Sequence, residues 1–159
     1  DYLASLTQAQ VAIVNNAQRE HQEFMHTVEA VAQENGAVIR HLPADGVAVY
    51  PADDAYAAVW QALAQKRSQL RFAAQGQAEV TAQAQWQNGA WRVCAHSPAG
   101  EFAYGLRIAG RHHVKNSLAA VAACLAVGLP VSVIAQGLDA FEAVAGRCRA
   151  WRITLDEKT

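Results

Sequence analysis

Apolar positions along the chain change their period twice, and each change marks a different kind of element. In the first part they come in short buried runs separated by helical spacings. "DYLASLTQ" reads as the end of a helix, and "AQVAIVNN" as a strand running into a polar turn. In "TVEAVAQENGAVI" Val28, Val31 and Ala32 recur at helical spacing, with Gly36 placed to stop the helix. "GVAVYPADD" predicts a second short strand closed by Pro51, and "DDAYAAVWQALAQKR" a helix capped by Asp53 or Asp54. Up to about Arg67 the order is therefore strand, helix, strand, helix, which implies α/β packing on a sheet that is at least partly parallel.

Strict alternation then takes over. Val80, Ala82, Ala84 and Trp86 alternate with polar residues, an Asn88-Gly89 turn follows, and Trp91, Val93 and Ala95 alternate again. "SPAG" turns the chain into a run with Phe102, Tyr104, Leu106 and Ile108 on one face. These segments predict an antiparallel meander of three or four strands. From Gly110 the helical period returns: Val114, Leu118, Val121 and Leu125 form one stripe, ended by Gly128 and Pro130. A last helix carries Ile134, Leu138 and Phe141, with Ser132 as its N-cap. The fold class expected is α/β, a partial parallel-type sheet with flanking helices plus an antiparallel β-meander.

Composition narrows the function classes. With 159 residues, 52% hydrophobic and 17% charged, the chain can bury one sizeable core, and disorder is not expected. A formal net charge of -1 with scattered basic residues argues against a nucleic-acid partner. Cys94, Cys124 and Cys148 are far apart and lack CxxC spacing, which reads as free thiols in a reducing compartment. The longest apolar run, Leu118 to Val127, is too short for membrane insertion, so a cytoplasmic location is the expectation.

Two stretches hold candidate chemistry. "GRHHVKNSLAAVAACLAVGLP" opens an apolar helix on two histidines and an asparagine. His113 and Asn116 are three apart and share a side of the first turn. An Asn amide offers a donor beside an acceptor, the complement of an adenine edge, so this helix start could hold a purine. The same residues also fit a plain helix start facing water. "NNAQREHQEF" follows the first strand and sets Asn15, Asn16 and His21 where α/β sheets collect ligands; there a neutral imidazole could bind a divalent ion, or simply be solvated. His26, His41 and His96 have no partner at ligand spacing. Gly146-Arg147 could set a guanidinium on a phosphate or carboxylate, although a surface arginine after a helix is the commoner case. Only Lys66, Lys115 and Lys158 are present and none follows a glycine, so there is no GxxxxGK[ST] phosphate loop.

Taken together, "NNAQREHQEF" and "GRHHVKNSLAAVAACLAVGL" resemble the Mur ligase family, and most closely its MurF-type branch. The resemblance covers residues 1–151, as the latter part of the family's central ATPase domain, with residues 152–159 leading toward a carboxy-terminal domain. It implies a parent enzyme that uses ATP to phosphorylate the carboxylate of UDP-N-acetylmuramoyl-tripeptide, after which the amine of D-alanyl-D-alanine attacks to form an amide in peptidoglycan synthesis. The cofactors it implies are ATP and Mg2+. His21 aligns with a family histidine that helps hold magnesium. Asn116 aligns with the second Asn of the adenine-contacting HNxxN motif, and His113 stands where the first is usual. Asn16 and Arg147 are further candidates for cofactor binding; no catalytic residue is assigned.

The chain departs from the family pattern at Asn35, which stands where a carbamylated lysine is usual. The phosphate loop and a metal-binding glutamate are expected upstream of Asp1, so these residues alone are expected to be inactive. Alternative readings are another Mur or folylpolyglutamate-type ligase with a different acceptor, and a non-catalytic α/β binding module. A ligase piece predicts an exposed strand edge; a self-contained module predicts a closed one.

Overall fold

Parallel strands buried on both faces and a meander covered on one face build a six-stranded sheet in the computed structural model, which describes residues 1–19 and 22–144. In chain order the elements are α1 (Tyr2–Thr7), β1 (Val11–Ile13), α2 (Gln22–Met25), α3 (Val28–Asn35), α4 (Ala37–Arg40), β2 (Val47–Pro51), α5 (Ala57–Ala64) and β3 (Ser68–Ala73). They continue as β4 (Val80–Gln87), β5 (Ala90–Ser97), β6 (Gly100–Leu106), α6 (His112–Ala126) and α7 (Val131–Asp139). The strands lie in sequence order, β1 to β4 parallel and β4 to β6 antiparallel. The α/β class with its meander is thus present.

Strand β2 shows why three layers form. Val47 and Val49 face a core made with Leu118 and Val121 of α6, while Ala48 and Tyr50 face a second core made with Val31, Ile39 and Trp60. Alternate residues are therefore apolar on both faces, as a strand buried between helices requires. Trp60 is fully buried and its indole N–H donates to the Ala32 carbonyl at 2.9 Å, tying α5 to α3. The meander instead sends Val93, Ala95 and Tyr104 into the first core and leaves Cys94 exposed. Cys94 and Cys124 are both free thiols; Cys148 lies outside the described residues.

Several sequence expectations need correction. Strand β3 has no counterpart among them. It pairs with β2 from Ser68 to Phe72, and its only overlap with β4 is Phe72 with Val80 and Ala73 with Thr81. That short overlap explains how residues 74–79 suffice to join two parallel strands, which ordinarily takes a dozen or more. Neither aspartate N-caps α5, whose cap position is Tyr56: Asp54 accepts the Tyr56 N–H, and Asp53 points away to other partners. Gly36 does end α3 as its C-cap, but a short α4 follows it directly, and α3 starts with Thr27 accepting from the Ala30 N–H. Helix α7 is capped by Pro130, not Ser132, and ends before Phe141. Strand β1 forms one sheet edge, with Ile13 44% exposed.

The end of α6 follows its sequence signal closely. Gly128 takes a φ of +78°, and the N–H groups of Gly128 and Leu129 bond back to the carbonyls of Leu125 and Cys124. That is a Schellman closure, in which a left-handed residue satisfies the last carbonyls of the helix.

Candidate functional site at the start of helix α6

The first turn of α6 lies across the carboxyl ends of the parallel strands, the edge where α/β sheets place ligands. Gly110 makes the approach possible: its φ is +101°, and a Cβ there would come within 2.7 Å of the His112 ring. Arg111 occupies the cap position without a side-chain cap, so the helix start is not closed in the ordinary way. The rings of His112 and His113 follow, tilted against each other with centroids 4.0 Å apart.

His113 leans into an apolar slot of about 170 Å3 walled by Leu106, Ile108, Leu138 and Phe141, with Asn116 at its margin. Its Nε2 is buried there and has no hydrogen-bond partner among the described residues. A buried polar atom left unpaired is costly, and in native proteins it calls for an explanation. Burial, and then the neighbouring His112, hold the pKa of His113 below the ordinary histidine value, so the ring is neutral at pH 7. Neutral imidazole can offer either a donor or an acceptor at that nitrogen.

Asn116 is oriented from outside the slot. Its Oδ1 accepts from Asn15 Nδ2 at 3.0 Å, which leaves its own N–H2 and the second carbonyl lone pair available. A donor and an acceptor side by side match the amino and ring-nitrogen edge of adenine. Beneath the slot, Ser117 donates to the Val114 carbonyl at 2.7 Å and meets the Tyr104 hydroxyl at 2.6 Å. Desolvation by burial pushes the pKa of Tyr104 up to about 12, against the smaller opposing effect of Ser117, so the phenol stays neutral and fastens α6 to β6.

Asn16 does not join this slot. It lines a separate cavity of about 490 Å3 with Ile13, Asn15, Glu34, Asn35 and Val38, and its carbonyl accepts from Asn35 Nδ2 at 3.1 Å. Asn15 lines that cavity and also bonds Asn116, so it connects the two places. Among the described residues no three His, Cys, Asp or Glu side chains gather as a metal would need. The described donors lining the larger cavity are amides and the carboxylates of Asp1 and Glu34, both already in ion pairs, and they do not fit a metal ion without further ligands. His21 and Arg147 lie outside the described residues. His96 pairs with Glu101 on the meander and lines neither cavity.

A three-layer α/β sheet with an apolar slot beside the Asn116 amide at its carboxyl edge defines the class as an α/β domain. The Mur ligase middle domain model matches residues 1–124, and the chain belongs to the Mur ligase family. The UDP-N-acetylmuramoyl-tripeptide–D-alanyl-D-alanine ligase of Escherichia coli is 32% identical over 149 residues, covering 92% of this chain and 33% of that protein. The UDP-N-acetylmuramate–L-alanine ligase of an Arthrobacter strain is 31% identical over 137 residues, 86% of this chain and 29% of that protein. Among solved structures, MurF from Acinetobacter baumannii superposes with a TM-score of 0.86 at 26% identity, over 91% of this chain and 32% of that one. The chain thus spans about a third of the length of the curated relatives it matches.

Proposed function

We propose that this chain supplies the base-binding side of an ATP-dependent ligase that joins D-alanyl-D-alanine to UDP-N-acetylmuramoyl-tripeptide. The observation that carries the reading is the unpaired, buried Nε2 of His113 in an apolar slot beside the half-used amide of Asn116. A purine ring would fill the slot, and its edge would satisfy both groups. His113 and Asn116 read the base, and Asn15 holds Asn116 in the orientation that leaves its donor free.

ATP supplies the phosphoryl group that activates a carboxylate toward an amine, and magnesium is the ion expected beside it. The residues described here bind and orient the base. Asn16 and Asn35 shape the neighbouring cavity, which we assign to the phosphate-proximal side; His21 as a magnesium ligand and Arg147 as a further nucleotide contact rest on the family resemblance alone.

The D-alanyl-D-alanine acceptor is supported by the Escherichia coli relative and by the fold match. A second reading, L-alanine addition to UDP-N-acetylmuramate, is favoured by the Arthrobacter relative at nearly the same identity. Phosphate release by the intact protein with ATP and magnesium separates them. Release that needs UDP-N-acetylmuramoyl-tripeptide and D-alanyl-D-alanine together supports the first reading. Release that needs UDP-N-acetylmuramate and L-alanine replaces it with the second, and none with any amine acceptor refutes the ligase reading.

A further inference from the structure

We propose that the Asp53–Lys115 ion pair is a positioning device for the nucleotide site, fixing the rotation of the first turn of α6 and so the direction in which Asn116 presents its amide. The inference rests on the base-binding reading above. Lys115 Nζ lies 2.7 Å from Asp53 Oδ1, and both side chains are largely buried, 24% and 18% exposed. The other carboxylate oxygen of Asp53 accepts the backbone N–H groups of Ala74 at 2.9 Å and Gln75 at 3.2 Å. One carboxylate therefore joins the end of β2, the loop after β3 and the first turn of α6.

Three features favour positioning over incidental pairing. A cation in the first turn of a helix opposes the helix dipole, so Lys115 is not there for the sake of the helix. The helix also lacks a side-chain cap that could fix its start. Finally, Lys115 and Asn116 are consecutive, and consecutive helical residues point about 100° apart. Asn116 is anchored to Asn15 after β1, and Lys115 to Asp53 after β2. Buried Val114 and Leu118 and the Tyr104–Ser117 contact hold one face of the helix on the sheet, and two polar anchors in different directions set the small remaining rotation of its first turn. A turn that rolls would swing the Asn116 amide away from the slot margin while the Tyr104–Ser117 contact still holds the helix on the sheet.

The test is equilibrium titration of the intact protein with ATP, without a second substrate, alongside thermal melting. Lys115→Met keeps the stem and removes the charge; Asp53→Asn keeps an acceptor for the loop N–H groups and weakens the pair. Each is expected to weaken ATP binding about five- to tenfold, less than one charge-assisted contact to the ligand itself would command, because the pair acts through Asn116. The double variant is expected to be no weaker than the poorer single one, because both remove the same interaction. Lys115→Arg restores affinity to within about twofold, since it can still pair with the carboxylate. Lower melting temperatures with ATP affinity unchanged in both single variants, or additive losses in the double, overturn the proposal. Asn116→Ala, titrated in parallel, separates the two levels. If it weakens ATP binding and the pair variants do not, the positioning inference alone fails; if it leaves ATP binding unchanged, the base-binding reading fails and the inference with it.

Discussion

Replacing Tyr104 by phenylalanine removes one hydroxyl from beneath the slot and leaves the ring in place. Tyr104 is 3% exposed, and its hydroxyl meets Ser117, which keeps the Val114 carbonyl as acceptor for its own proton. The loss at pH 7 is then one buried neutral hydrogen bond, about 1 kcal/mol. In a domain of this size that lowers the melting temperature by roughly 2–4 °C. The pH dependence carries the sharper expectation. The phenol has an ordinary pKa of 10.0 and is held at about 12 in the fold. Above pH 10 the unfolded chain loses this proton while the folded chain keeps it, so the wild-type protein loses stability as pH rises from 10 to 12. Two pKa units correspond to about 2.7 kcal/mol at full effect. The variant's phenylalanine carries no such proton, and the other tyrosines titrate alike in both proteins. The wild type should therefore be the more stable protein at pH 7, the two should cross near a pH of about 10.6, and the variant should be the more stable one above that. Urea unfolding of both proteins at several values between pH 7 and 11 measures this. A constant difference across that range would refute the account of Tyr104 as a buried, neutral donor.

The remaining expectations concern the site and the second core. His113 has a depressed pKa, so its contribution to stability is at full strength above the ordinary histidine value of 6.5 and declines below it, and the slot loses its neutral imidazole as pH falls through the lower value of the folded protein. ATP affinity measured at pH 8 and 5.5 should drop at the lower pH, and His113→Asn should abolish most of that drop. Trp60→Phe should cost about 2–3 kcal/mol in urea unfolding, because it leaves a void in a fully buried place and removes the indole donor from the Ala32 carbonyl, which keeps only the Gly36 N–H. His21→Ala should slow phosphoryl transfer more than it weakens ATP binding, whereas Asn116→Ala should mainly raise the ATP requirement; equal effects on affinity would contradict those roles.

Local chemistry is legible in the sequence, and long-range partnerships are not. The alternation of β4 and β5, the stripe of α6 and its Gly128 stop are local signals, and the structure follows them. Strand β3 is hidden because its polar residues are paired across the sheet instead of exposed. Arg71 makes a bidentate pair with Glu79, at 2.6 and 2.9 Å, and Gln69 bonds the Tyr50 hydroxyl, so "SQLRFA" looks polar although Leu70 and Phe72 face the core. The hydrogen bonds from Arg71 also hold the Glu79 carboxyl below the usual carboxylate range. Asp53 reads as a cap because an aspartate before an apolar run usually is one; its actual partners, Lys115 and the loop after β3, lie far along the chain. The bond between Asn15 and Asn116 spans 101 residues, and no local pattern announces it. The burial of His113 Nε2 likewise depends on Phe141 and Leu138 arriving from a later part of the chain.

The measurement that bears most directly on the central claim is the affinity of the intact protein for ATP and GTP, before and after Asn116→Ala. Guanine presents a carbonyl where adenine has its amino group, so the Asn116 acceptor would lose its donor. The account predicts that ATP is preferred by the wild-type protein and that the preference collapses in Asn116→Ala. Equal binding of the two nucleotides by the wild type, or a preference that survives the substitution, would contradict the assignment of this helix start as an adenine site.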